Sequence, residues 1–438
     1  MRIKIMLTTL CLLPLCSSGA FAQPLEDRLK ALEESSATQQ QTIVEQQKLI
    51  DELKEIKEKV DQVAEAQTRT FPGIFNPAIG IVGETIFGYR SKGPLQTGSG
   101  RPGGFDVFQR SVELNVAAAV DPFAKAYAVI NGSADPVTGE LTLGVEEAAL
   151  QTTSLPWNLE VKAGRFFGEF GRLGYIHDHE LPFVNRPLTL AQYIGGESRT
   201  DGLQLNWLLP VDHYVSLTAG LGTQFGGDNP PNNPGEFRNG SGLNYWSRLS
   251  TYFNLTPEIS LEPGISGLWN PKTDAQWADP GGANPQFPTA AGNTFTERER
   301  RLYGVDLVLS YKPLRNNQFE SVTWGTEVLY SDNRYDVTNA PSSQSVGSVG
   351  LYSYLTYKFD RQWSTGFMFE RVENQVNKQD VTYAYSPNIT WALSHWNQLR
   401  LQYTHTDHNA TSGMPADNAV YLQWAWIIGA HSHGWQQR

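Results

Sequence analysis

Two histidine pairs, His177-x-His179 and His431-x-His433, are the first residues whose types and spacing could do chemistry. In an extended chain, residues i and i+2 project to one side, so each pair could share a metal ion, and imidazole suits zinc. Asp178 and Glu180 place carboxylate oxygens beside the first pair. Each pair alone is an incomplete zinc site; polar anchoring is the plainer reading. The pairs fall in separate parts of the chain, so a single site built from all four is disfavoured.

A second constellation is basic. Arg110, Lys125, Lys162, Arg165, Arg172 and Arg186 recur over one stretch, with Glu113, Glu146 and Glu169 among them and Tyr175 close by. If these side chains face a water-filled lumen, they form a constriction, and Arg suits carboxylate or phosphate solutes. The competing reading is a set of salt bridges that hold a loop to a wall. The mixed signs leave anion against cation preference open. Gly98-x-Gly100-x-x-Gly103 fits a dinucleotide pattern by letter only, in a Pro-containing loop without a strand–helix unit. No P-loop, H-E-x-x-H or G-x-S-x-G occurs, so no catalytic set and no enzyme is indicated. The net charge of −11 argues against nucleic acid.

The elements that must carry these residues are strands. Leu159 to Leu209 reads as a strand, a long irregular loop from Phe166 to Thr200, and a second strand. Loops of that length are uncommon in compact domains unless functional. From Ile79 onward apolar and polar residues alternate, as in Tyr303 to Tyr311, Leu399 to Thr404 and Val420 to Ile428. One greasy and one polar face, with Tyr and Trp near strand ends, is the pattern of a transmembrane barrel. Seven short turns alternate with eight long Gly/Asn/Pro-rich loops, which implies 16 antiparallel strands over residues 78–438. The Phe166–Thr200 loop is then the third outer loop, folded inward. The alternation breaks at Glu146-Glu147, where a bulge or a subunit contact is expected.

The N-terminal part reads differently. Residues 1–22 form a signal peptide, with Arg2 and Lys4, an apolar run and Ala20-Phe21-Ala22 before Gln23. Both cysteines, Cys11 and Cys16, leave with it, so no disulfide is expected. Residues 23–67 lack glycine and aromatics and carry Leu and Ile at coiled-coil spacings. They are read as a periplasmic coiled-coil helix that oligomerises or touches the cell wall, joined by a linker at 68–77.

Several segments resemble a family of porin-like Gram-negative outer-membrane proteins, often labelled zinc-regulated outer-membrane receptors. They include Ala118-Ala119-Val120-Asp121-Pro122-Phe123, Lys162-Ala163-Gly164-Arg165-Phe166, Phe170-Gly171-Arg172-Leu173, His177-Asp178-His179 and Gly429-Ala430-His431-Ser432-His433. The pattern is also similar to phosphate-selective porins. It departs from the family at Gly174, where asparagine is expected. The resemblance implies a homotrimeric 16-strand barrel in outer-membrane lipid. Such a barrel passes small hydrophilic or ionic solutes by passive diffusion, without a resident cofactor. The alternatives are zinc-linked uptake through the His pairs and a barrel that only anchors the envelope-tethering arm.

Overall fold

The computed structural model describes residues 77–96, 99–226, 240–273, 276–277, 295–315, 319–337, 344–375, 377–394, 396–409 and 414–429. Residues 77–438 form one unit, separate from 1–76. The signal peptide, the coiled coil and most of the linker lie outside the described residues, as do His431 and His433.

Among the described residues, 77–438 form a ring of sixteen long strands. They are β1 (Ala78–Arg90), β2 (Gly104–Asp121), β3 (Ala124–Ala134), β4 (Leu141–Thr152), β5 (Leu159–Phe167), β6 (Arg199–Leu208), β7 (Val215–Gly222), β8 (Asn244–Thr251), β9 (Ile259–Asn270), β10 (Phe295–Tyr311), β11 (Ser321–Val337), β12 (Gln344–Lys358), β13 (Trp363–Glu373), β14 (Val381–Ser394), β15 (Asn397–His408) and β16 (Asp417–Gly429). Two-residue segments, Phe253–Asn254 and Gln276–Trp277, pair beside β9 and β10. Neighbours in sequence pair antiparallel, and β1 closes the ring on β16 from Gly80↔Gly429 to Arg90↔Ala419. Closure removes the free edge strands that an open sheet of this size would have.

Period two decides which residues face where. On β6, Leu203 and Leu205 are 43% and 39% exposed while Gln204 and Asn206 are buried. The outer face continues through Leu249, Ile265, Val305, Val328, Phe367, Ile389, Leu401 and Leu422, the apolar belt that membrane barrels present to lipid. Aromatic pairs flank it. Tyr245–Trp269 and Tyr303–Tyr330 lie toward the long-loop end, and Trp363–Trp391 and Tyr357–Phe359 toward the short-turn end. Beyond the long-loop girdle, ion pairs sit on the outer surface: Arg301 with Glu299 and Asp332, and Arg371 with Glu373.

Among the irregularities in the ladders, two bulges bear on the charged residues of the bore. Between β1 and β2 the register skips Arg110, because Glu84 pairs with Ser111 and Thr85 with Gln109. Between β3 and β4 it skips Glu146, because Val129 pairs with Glu147 and Ile130 with Val145. An inserted residue lets two successive side chains share one face. Glu146 and Glu147 are therefore both buried inside the barrel. The expected break at Glu146-Glu147 is a bulge.

Candidate functional site

The loop between β5 and β6, residues 168–198, lies inside the bore. It carries a short 3-10 turn at Asp178–Glu180 and one α-helix, α1 (Leu188–Ile194), whose C-terminus ends on Gly195 in the left-handed conformation, φ 73°. The helix N-terminus is met from the wall: the Glu370 carboxylate of β13 accepts from the Leu188 N–H at 2.5 Å. That placement suits the unsatisfied N–H groups and positive dipole end of a helix.

The loop is bonded to strands on all sides. The Glu169 N–H donates to Gln204 of β6, the Gly171 N–H to Ser266 of β9, and the Arg172 N–H to Glu327 of β11. Asn388 of β14 and Arg400 of β15 donate to the Pro182 and Leu181 carbonyls. Arg300 of β10 donates to the Tyr193 carbonyl. Apolar packing fills one side. Phe166, Phe170, Phe183, Leu190, Tyr193 and Ile194 are at most 1% exposed. They pack in one cluster with inward-facing Trp246, Leu268, Leu302, Leu329, Tyr352 and Met368 of the wall and Phe225 of the loop after β7. These apolar side chains depart from the polar inner face that the alternation predicts.

On the other side the loop leaves a cavity of about 450 Å³. Its lining includes Arg90, Arg110, Arg186, Asp178, Glu370 and Asp417. Arg110 forks onto Glu84 (Nε–Oε2 and Nη2–Oε1 both 2.5 Å) and donates to the Val184 carbonyl. Arg90 is 2.5 Å from Asp417. Arg186 staples the loop to itself through Asp178 and the Leu173 and Ile176 carbonyls. Burial pushes the Asp178 carboxyl up, but Arg186 and Arg110 outweigh it and leave it below the usual carboxylate range.

The remaining basic residues are dispersed. Arg172 reaches Glu262 of β9 at 2.6 Å, near the buried Arg248–Asp306 pair. Burial pushes the Tyr175 phenol up to about 12, with Arg248 and Arg172 pulling it back. The Glu169 carboxylate accepts from Asn206 and Thr218. Lys162 is buried with its ammonium over the Phe166 ring, and Lys125 sits half-buried on the same inward face at the short-turn end of β3. Arg165 departs from expectation. It shares the outer face with Asp201, Leu203 and Leu205 and is bidentate to Asp201 at 2.7 and 2.8 Å. Strand parity puts it outside, so it does not line the bore. The single basic ladder is thus replaced by ion pairs on both sides of the loop. Glu84, Arg90, Arg248, Asp306, Glu327, Glu370 and Asp417 were not singled out from sequence; only their inward parity could have flagged them.

The first histidine pair is buried against β2 and β4. His177 Nε2 is 2.8 Å from Glu147 Oε1, and its Nδ1 is 3.5 Å from Glu113 and 3.7 Å from Glu146. His179 Nδ1 is 3.2 Å from Glu113. Burial pulls the His177 ring down, but the Glu147 bond and the charges of Glu113 and Glu146 outweigh it and hold it well above the ordinary histidine range.

The channel DcaP of Acinetobacter baumannii aligns with TM-score 0.52 at 11% identity, over 81% of this chain and 97% of that one. OprB of Pseudomonas putida aligns with TM-score 0.52 at 14% identity, over 81% and 94%. An anion-selective porin of Comamonas acidovorans aligns with TM-score 0.50 at 9% identity, over 81% and 100%. The fold is that of the outer-membrane porins. No family model matches the chain. An Aquifex aeolicus protein described as uncharacterized is 30% identical over 352 residues, 73% of this chain and 68% of the relative. The chain belongs to the same family as that protein.

Proposed function

We propose that the protein is a passive outer-membrane channel for small hydrophilic or ionic solutes, narrowed by the loop at 168–198. The observation that carries this is the loop's course. It packs an apolar core against β8 to β13 and leaves a charged cleft against β1, β2 and β13 to β16. A barrel serving only as an anchor has no use for such a cleft. Arg90, Arg110 and Arg186 share its lining with Asp178, Glu370 and Asp417, so opposite signs are balanced along it. Charged rings set ion preference, and a balanced set gives a weak one.

Planar-bilayer recording tests the reading. Discrete conductance steps are expected, with a reversal potential close to zero in a KCl gradient. Arg110→Ala leaves Glu84 without its fork and shifts the reversal potential toward cation preference. Arg165→Ala, on the outer face, leaves it unchanged. A protein that inserts without conducting, or an Arg110→Ala channel with the wild-type reversal potential, contradicts the proposal.

A further inference from the structure

We infer that Glu113, Glu146, His177 and His179 form a divalent-metal site, zinc by ligand chemistry, that clamps the inward loop to the barrel wall. Three independent segments converge there: Glu113 from β2, Glu146 from the bulge in β4, and the two imidazoles from the loop. All four are at most 5% exposed. One ligand atom each from Glu113, His177 and His179 lies within 4.8 Å of the others. The closest approaches are 3.2 Å (His179 Nδ1 to Glu113 Oε1), 3.5 Å (His177 Nδ1 to Glu113 Oε2) and 3.7 Å (His177 Nδ1 to Glu146 Oε1). Four ligands placed tetrahedrally at ordinary zinc bond lengths stand roughly 3.3 Å apart. Glu113, His177 and His179 are therefore already close to coordination spacing, and Glu146, near His177 but outside that mutual grouping, must turn toward the ion to complete it.

The surroundings are those of a metal centre. His177 Nε2 meets the Glu147 carboxylate at 2.8 Å. A histidine ligand usually donates its second ring N–H to such a group, which fixes the tautomer and aims the other nitrogen. Here that nitrogen is Nδ1, which faces Glu113 and Glu146. Asn131 donates to Glu146 Oε2 at 2.9 Å, which leaves Oε1 toward His177. The Tyr127 hydroxyl donates to Glu147 Oε2 at 2.9 Å, and Lys162 lies over the Tyr127 ring on that flank. Two imidazoles and two carboxylates with a supporting carboxylate suit zinc better than calcium or magnesium, which take oxygen ligands. Burial makes the ion a fixture, not a solute in transit. The site is independent of whether the bore conducts.

The untagged full-length protein, folded in detergent and stripped with a chelator, is titrated with zinc alone and then with cobalt. One tightly held zinc per chain is expected by elemental analysis. The cobalt form should show the intense visible absorption of a four-coordinate ion. X-ray absorption at the zinc edge should show two imidazoles. His177→Gln and Glu113→Gln should each lose at least tenfold in affinity, whereas His431→Ala/His433→Ala retains the stoichiometry. Sub-stoichiometric weak zinc, an absorption spectrum of six-coordinate cobalt, or full binding by folded His177→Gln overturns the site. Should the variants fail to fold, the cobalt spectrum and imidazole count of the wild-type protein decide it.

Discussion

Arg248 and Asp306 meet in the bore as a closed fork, 2.5 and 2.9 Å, with side chains 2% and 1% exposed. Taking both charges out of water offsets most of their attraction, so the pair adds little net stability. Breaking it is another matter. Arg248→Met strands the carboxylate and should destabilise the barrel by about 3–5 kcal/mol. Arg248→Met/Asp306→Leu should recover most of that loss. The midpoint of urea unfolding in detergent, read by the gel shift between folded and unfolded forms, checks both. A double variant as weak as the single would show that the charge pair itself holds the wall. Sequence shows that both residues point inward, since each alternates with lipid-facing neighbours. It does not show that they meet. Partners 58 positions apart are chosen by the stagger of strands around the ring, which no local pattern records.

The inward loop is held by packing at points where a side chain has no room. Gly226 sits at φ 97°, and a Cβ there would lie 1.5 Å from the Ile194 carbonyl oxygen at the end of α1. Gly226→Ala should push α1 off the wall toward the cleft that its Leu188 and Ala191 line, and lower single-channel conductance while the barrel still folds. Unchanged conductance in a folded Gly226→Ala protein would mean that α1 does not limit the bore. Phe170, fully buried and nearly perpendicular to the Phe225 ring, anchors the other half of the loop. Phe170→Ala should cost about 3–5 kcal/mol. The loss should appear as faster proteolysis within 168–198, not as barrel unfolding. The loop was legible from its length and its density of aromatic and charged residues. Its landing surface was not. Trp246, Leu268, Leu302, Leu329 and Met368 break the polar-inside rule, and each reads in sequence as one more apolar strand residue. The bulge at Glu146 left a trace in the failed alternation. The bulge at Arg110 left none, because Gln109, Arg110 and Ser111 are all polar and hide the change of face.

At the scale of the molecule, the strand count was recoverable because short turns and long loops alternate along the chain. Turn residues mark boundaries more sharply than the strands mark their own. Closure then follows, since β1 and β16 carry complementary edges. The outer belt makes a quantitative demand. Leu401→Arg, midway along β15, should cost roughly 2–4 kcal/mol for refolding into lipid vesicles. Gln402→Arg, one residue on, faces the lumen and should show no such lipid-dependent penalty. Equal penalties would mean that the belt does not face hydrocarbon. The homotrimer expected from sequence is a separate proposal; the mass of the detergent-solubilised protein by light scattering checks it. The outward ion pairs Arg165–Asp201, Arg301–Glu299 and Arg371–Glu373 also say how deep the cylinder rides. Charges resist submersion in oil, so together they act as a load line painted around the upper hull. The hydrocarbon must stop beneath them, and a variant stripped of all three pairs would float lower, drawing its rim toward the membrane surface.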